Sequence, residues 1–99
     1  DPICFEWAGR RSVLDRLQRT VPLVRGYTDA FGHAMVLCGA LDAMVDCDLN
    51  PWDAAATQLM AVEAGGACVT RRGARGKLDL IFGSPALVAQ IAEFFDAGD

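Results

Sequence analysis

Asn50-Pro51-Trp52-Asp53-Ala54-Ala55-Ala56, with Glu63-Ala64-Gly65-Gly66 beginning ten residues after Asp53, reads as one helix from its start to its stop. Asn50 suits the N-cap and Pro51 the first helical position, which places Asp53 at N3. There the carboxylate meets unpaired backbone N–H groups and the positive end of the helix dipole, a setting that favours negative charge. Such a carboxylate is either half of a cap or a ligand for a hard cation. The glycines supply the stop. Within the helix, Trp52, Ala55, Ala56, Leu59 and Val62 form one apolar face, with Asp53 at its margin beside Met60. Glu63 projects into that arc at the unfavourable end of the dipole, and reads as a structural acid in need of a partner.

Outward from this helix, the order is α/β. Ser12-Val13-Leu14-Asp15 opens a helix with Val13, Leu14 and Leu17 on one side. Val21 to Arg25 reads as a strand with Pro22 at its edge or beginning. Gly26 to Thr28 is a turn, and Asp29 is placed to cap the next element. Ala30 to Gly39 is a helix candidate, although Met35 to Cys38 also fits a strand; His33 in it reads as a packed neutral histidine. Ala43 to Asp46 reads as the next strand, ending in the acids Asp46 and Asp48. Ala67 to Thr70 and Leu78 to Phe82 read as strands joined by the Arg71–Gly76 turn. The second of them alternates Leu78, Leu80 and Phe82 against Asp79 and Ile81. Ser84-Pro85 starts a last helix with Leu87, Val88, Ile91, Phe94 and Phe95 on one stripe.

Ninety-nine residues make one domain or part of a larger one, and the chain begins at Asp1, as a processed form or a portion of a longer protein would. Hydrophobic residues make up 53% of it and the mean hydropathy is +0.23. So apolar a composition, in so small a chain, implies an apolar face that something else covers. A net charge of −4 argues against nucleic acid as a partner. No apolar run approaches the roughly 20 residues that span a bilayer, so no membrane partner is expected. Arg71, Arg72 and Arg75 decorate a Gly-rich turn, as a solvated loop or as phosphate-binding forks. Cys4, Cys38, Cys47 and Cys68 show no metal-ligand spacing and do not suggest zinc. Cys38 and Cys68 read as small core residues. Free thiols point to a reducing cytoplasm, while four cysteines leave room for two disulfides.

Trp52-Asp53 with small residues behind it, then Glu63-Ala64-Gly65-Gly66, resembles the second signature of the inositol monophosphatase family of metal-dependent phosphatases. Thr57 stands where many inositol phosphatases have glycine. The resemblance runs from about Val21 to the last helix. Thr28-Asp29-Ala30-Phe31-Gly32, Val45-Asp46 and Asn50 to Asp53 resemble the histidinol-phosphatase-like branch, with Thr28 in place of that branch's glycine. The resemblance implies the C-terminal, mixed-sheet half, with flanking helices, of a layered α/β sugar-phosphatase-type fold. Residues 1–20 would be a lead-in with a short helix, and residues 21–99 the family-like unit.

It also implies roles. Asp53 would be a Mg²⁺ ligand, Asp46 a contact for the substrate's polar groups, and Asp29 a partner for an amine such as that of histidinol phosphate. The plain readings stand beside these: Asp46 as a strand-end turn residue, Asp29 as an N-cap. The family's remaining acidic ligands, an upstream glutamate and an Asp-Pro-x-Asp-Gly-Thr segment, are absent from these residues. Asp1-Pro2-Ile3-Cys4 begins like that segment but diverges at once and lies too close to Val21. No catalytic set is therefore complete in the chain. The expected function is that of the C-terminal part of a Mg²⁺-dependent phosphomonoesterase acting on a small phosphorylated metabolite, inactive alone and completed by an N-terminal half. The alternative is a non-enzymatic truncated relative that pairs with a second copy as a homo-oligomer or acts as an interaction module.

Overall fold

In a computed structural model, residues 3–20, Val36 and 42–97 are described. Two helices come first, α1 (Ile3–Trp7) and α2 (Arg11–Thr20). Strand β1 (Ala43–Leu49) runs into helix α3 (Pro51–Glu63), followed by β2 (Ala67–Arg72), a 3-10 turn at Ala74–Gly76, β3 (Leu78–Gly83) and helix α4 (Pro85–Asp96). The expected strand at Val21–Arg25, the turn at Gly26–Thr28, the helix at Ala30–Gly39 apart from Val36, and Asp29, His33 and Cys38 lie outside the described residues.

The three strands form an antiparallel sheet in the order β1-β3-β2. Helices lie on both of its faces, so the α/β class holds. On one face α1, α2 and α4 enclose Cys4, Phe5, Val13, Leu14, Leu17, Cys47, Ile81, Val88, Ile91 and Phe95. On the other, α3 covers Leu49, Leu80 and Phe82, with Val36, Met44 and Cys68 at the margin. The central strand is therefore buried on both sides: Asp79, Leu80, Ile81 and Phe82 all lack solvent contact. Period-two alternation gives the correct faces for these residues, but not the second helical layer that buries Asp79 and Ile81. The stripe on α4 is as expected. Val88, Ile91 and Phe95 are buried, and Leu87 and Phe94 pack at the edge.

Helix α3 inverts the expected face. Its buried residues are Ala54, Thr57 and Ala61, whereas Trp52, Leu59 and Val62 are 74%, 62% and 61% exposed. Small side chains let the helix backbone approach the sheet closely, and the bulky residues are left outward. Glu63 lies on that outward side, exposed, so its carboxylate stays in water and needs no buried partner.

The Glu-Ala-Gly-Gly stop has a steric cause. Gly65 takes φ +85, its N–H donates to the Val62 carbonyl at 3.0 Å, and the Gly66 N–H donates to the Ala61 carbonyl at 2.9 Å. This is the Schellman arrangement, with the left-handed residue directly after the C-cap Ala64. Gly66 is there for space instead: a Cβ on it would sit 2.8 Å from the Gly83 carbonyl oxygen. Replacing Gly65 with alanine should cost about 1 kcal/mol, the left-handed penalty of a Cβ. Gly66→Ala should cost more, because backbone must shift. Urea midpoints at constant slope would rank the two.

Candidate functional site

Strand β1 delivers the chain to the start of α3 through an irregularity. Its pairing with β3 runs in register from Ala43 to Asp46, then slips before Leu49. Asp48 takes φ +63 at that slip, a conformation that short polar side chains tolerate better than most. The consequence is a change of phase. Val45 and Cys47 face the α1/α2/α4 side, and strict alternation would send Leu49 with them, but Leu49 packs under α3. The expected strand end at Asp46 is thus corrected: β1 continues to Leu49, and both acids lie within it.

A fully buried carboxylate holds this bulge. Asp79 on β3 accepts the Asp48 backbone N–H at 3.0 Å and the Arg10 Nε at 2.8 Å. Arg10, between α1 and α2, also donates to the Arg72 carbonyl at 3.0 Å and lies 5.1 Å from the centre of the Phe95 ring. One ion pair therefore connects the N-terminal helices, all three strands and α4. A carboxylate in the middle of an apolar strand was visible in the sequence; its partner, 69 positions away, was not.

Beyond the bulge the side chains become polar and accessible. Asn50 occupies the N-cap with extended backbone (φ −73, ψ 144), but its side chain caps nothing. Its Oδ1 instead accepts from Lys77 Nζ at 2.6 Å, and its Nδ2 donates to Asp53 Oδ2 at 3.3 Å. Asp53 itself is exposed in the first turn of α3. Arg75, at φ +57 in the β2–β3 turn, reaches Asp48 at 3.2 Å. The cluster thus joins Asp48, Asn50 and Asp53 with two cations of the β2–β3 turn. Lys77 is the member that sequence reasoning missed.

Asp46 is 4% exposed and sits opposite Leu80 in the ladder, on the α3 side of the sheet. Asp29, the third candidate, lies outside the described residues. The Arg71, Arg72 and Arg75 group is divided. Arg71 grips Asp96 on α4 through two bonds of 2.8 and 2.9 Å, and the guanidinium draws that carboxyl below its ordinary value. Arg75 is paired as above. Neither fork is left solely to solvent.

Mg²⁺ is a hard ion that commonly keeps several waters and takes one or two carboxylates from a protein. Asp53 fits one such position, since it is exposed and its carboxylate is engaged by the long bond from Asn50. Among the described residues, no three His, Cys, Asp or Glu side chains gather at a metal-binding spacing. No helix among the described residues is long and apolar enough to cross a membrane.

The sequence model of the inositol monophosphatase family matches residues 7–93. A histidinol-phosphatase of Chlorobaculum parvum is 39% identical over 66 residues, an alignment covering 67% of this chain and 26% of that protein. An inositol monophosphatase of Dictyostelium discoideum is 35% identical over 71 residues, covering 67% of this chain and 25% of its own length. The chain spans about a quarter of the length of the curated relatives it matches. No solved structure matches it.

Proposed function

The chain belongs to the inositol monophosphatase family, and from that premise we propose that it is the C-terminal part of a Mg²⁺-dependent phosphomonoesterase acting on a small phosphorylated alcohol. Histidinol phosphate is the first substrate to test and inositol phosphate the second, in keeping with the names of the two relatives. The observation that carries the reading is the start of α3. An exposed carboxylate stands there in the first helical turn, oriented by Asn50, which Lys77 in turn holds.

When bound, Mg²⁺ supplies Lewis-acid activation of water and neutralises phosphate charge. In this chain Asp53 would help hold the ion. Asn50 would fix the carboxylate's rotamer, and Lys77 would add positive charge beside the incoming phosphate. The positive end of α3 favours the same anion. Asp29 would serve the substrate's polar groups by pairing with an amine, and Asp46, although only 4% exposed within β1, would face them from the α3 side of the sheet. The remaining ligands would come from an N-terminal half. Free thiols at Cys4, Cys47 and Cys68 support a reducing compartment such as the cytoplasm. Phosphate release by the intact protein from each of the two substrates tests this reading. Histidinol phosphate should be turned over, and turnover of neither would oppose it.

A second reading, assembly through α3, rests on one observation. Trp52, Leu59, Met60 and Val62 present an exposed apolar surface of the kind that another chain or a further part of the same protein covers. Sedimentation should show self-association of the 99 residues, weakened by Leu59→Glu. A monomer at high concentration would count against that reading.

A further inference from the structure

Two cysteines that the proposed phosphatase chemistry does not use face each other across the first core. Cys4 on α1 and Cys47 on β1 are 6% and 3% exposed, members of the same apolar cluster, and both are free thiols. Their side chains are hydrogen-bonded to each other, and the Cys47 backbone N–H also points at the Cys4 sulfur. Nothing in the sequence pairs them, since residues 4 and 47 belong to different elements and lack any CxxC-type spacing. Packing of α1 on β1 brings them together.

We propose that Cys4 and Cys47 form a hydroperoxide-responsive dithiol that closes to an intramolecular disulfide, bonding α1 to β1. The two sulfurs are unequal. Donation from the Cys47 thiol draws the Cys4 pKa down to about 7. The same contact, together with burial, drives the Cys47 thiol upward. Cys4 is the nucleophile, because it sits on the short helix α1, which can open, whereas Cys47 is held within the sheet, and the exposed thiolate is the reactive form. Its thiolate attacks one oxygen of hydrogen peroxide, the O–O bond breaks, and hydroxide leaves, giving a sulfenic acid on Cys4. The Cys47 sulfur then attacks the Cys4 sulfur. The S–S bond forms, the S–O bond breaks, and the departing hydroxide takes the Cys47 proton as water. Two thiols are thereby oxidised, one peroxide is reduced, and two waters are released.

Access comes from α1 itself. It is a five-residue helix that buries only Cys4 and Phe5, so its local opening is cheap and exposes the thiol without unfolding the sheet. Once closed, the bond joins α1 to the strand that carries Asp46 and encloses the intervening chain, including α2 and Asp29, in a covalent loop.

The test is mild peroxide treatment of the folded intact protein, alkylation of the remaining thiols, and mapping of peptides by mass spectrometry. The expected product is a peptide pair crosslinked through Cys4 and Cys47, two hydrogens lighter than the reduced pair, with Cys68 alkylated. The oxidised protein should melt on the order of 10 °C higher, an increase that a reductant abolishes. In Cys47→Ser, Cys4 should accumulate as a sulfenic acid that dimedone traps, and the crosslink should vanish. The proposal is overturned if Cys4 and Cys47 both remain alkylatable after peroxide, or if the crosslink joins either of them to Cys38, Cys68 or another chain. It is overturned equally if the bond forms only in denaturant.

Discussion

Asp79→Ala should destabilise the fold by about 3 to 5 kcal/mol, the usual cost of removing one partner from a buried ion pair. Asp79 has no solvent exposure, and three-quarters of its partner Arg10's side chain is covered. The substitution strands the guanidinium against the Phe95 ring with, among the described residues, only the Arg72 carbonyl to accept from it. It also removes the acceptor of the Asp48 N–H at the β1 bulge, a further loss of about 1 kcal/mol or more for a buried donor. Urea unfolding would measure the difference, and a loss below about 1 kcal/mol would show that the pair is not a keystone. Replacing both members with apolar residues of similar size should recover part of the stability, because the cost lies mainly in the unpaired charge.

Asp53→Asn should separate activity from stability. The side chain is exposed and, among the described residues, accepts one long hydrogen bond, so its loss should leave the unfolding midpoint nearly unchanged, as for most surface substitutions. If Asp53 holds an ion, the intact enzyme should lose at least about a hundredfold in kcat/KM, since even residues that merely orient metal ligands are worth about 10- to 100-fold. Asparagine keeps an oxygen but not the charge, so the Mg²⁺ concentration needed for half-maximal rate should rise as well. A variant as active as the parent would return Asp53 to the plain capping role.

How far the sequence discloses this molecule depends on the range of each interaction. Helix α3 was legible in full because its signals are local: Asn50-Pro51 at one end, and Gly65 in the left-handed region at the other. The stripe on α4 was legible for the same reason. What failed was the direction in which α3 faces. Hydrophobicity alone assigned Trp52, Leu59 and Val62 to the interior. Close approach to the sheet instead selected Ala54, Thr57 and Ala61, and apolar bulk does not predict that distance. Helix α1 went unread because five residues show no usable periodicity.

The candidate site divides along the same line. Asp53 could be placed from its own helix, and its relation to Asn50 spans only three residues. Lys77 enters from a turn 27 residues away, and the bulge at Asp48 depends on a carboxylate in another strand. Asp46 was legible as an acid near a strand end; its burial, a consequence of the strand's continuing to Leu49, was not.

The central claim is that Asp53 stands in the metal site of a phosphomonoesterase, and the most direct measurement is phosphate release from histidinol phosphate by the intact protein as Mg²⁺ is varied. Release should be abolished by a chelator and restored by added Mg²⁺, with the Asp53→Asn protein remaining at least about a hundredfold less active at saturating metal. Undiminished turnover after chelation, or an Asp53→Asn protein with the parent's Mg²⁺ dependence and rate, would contradict it.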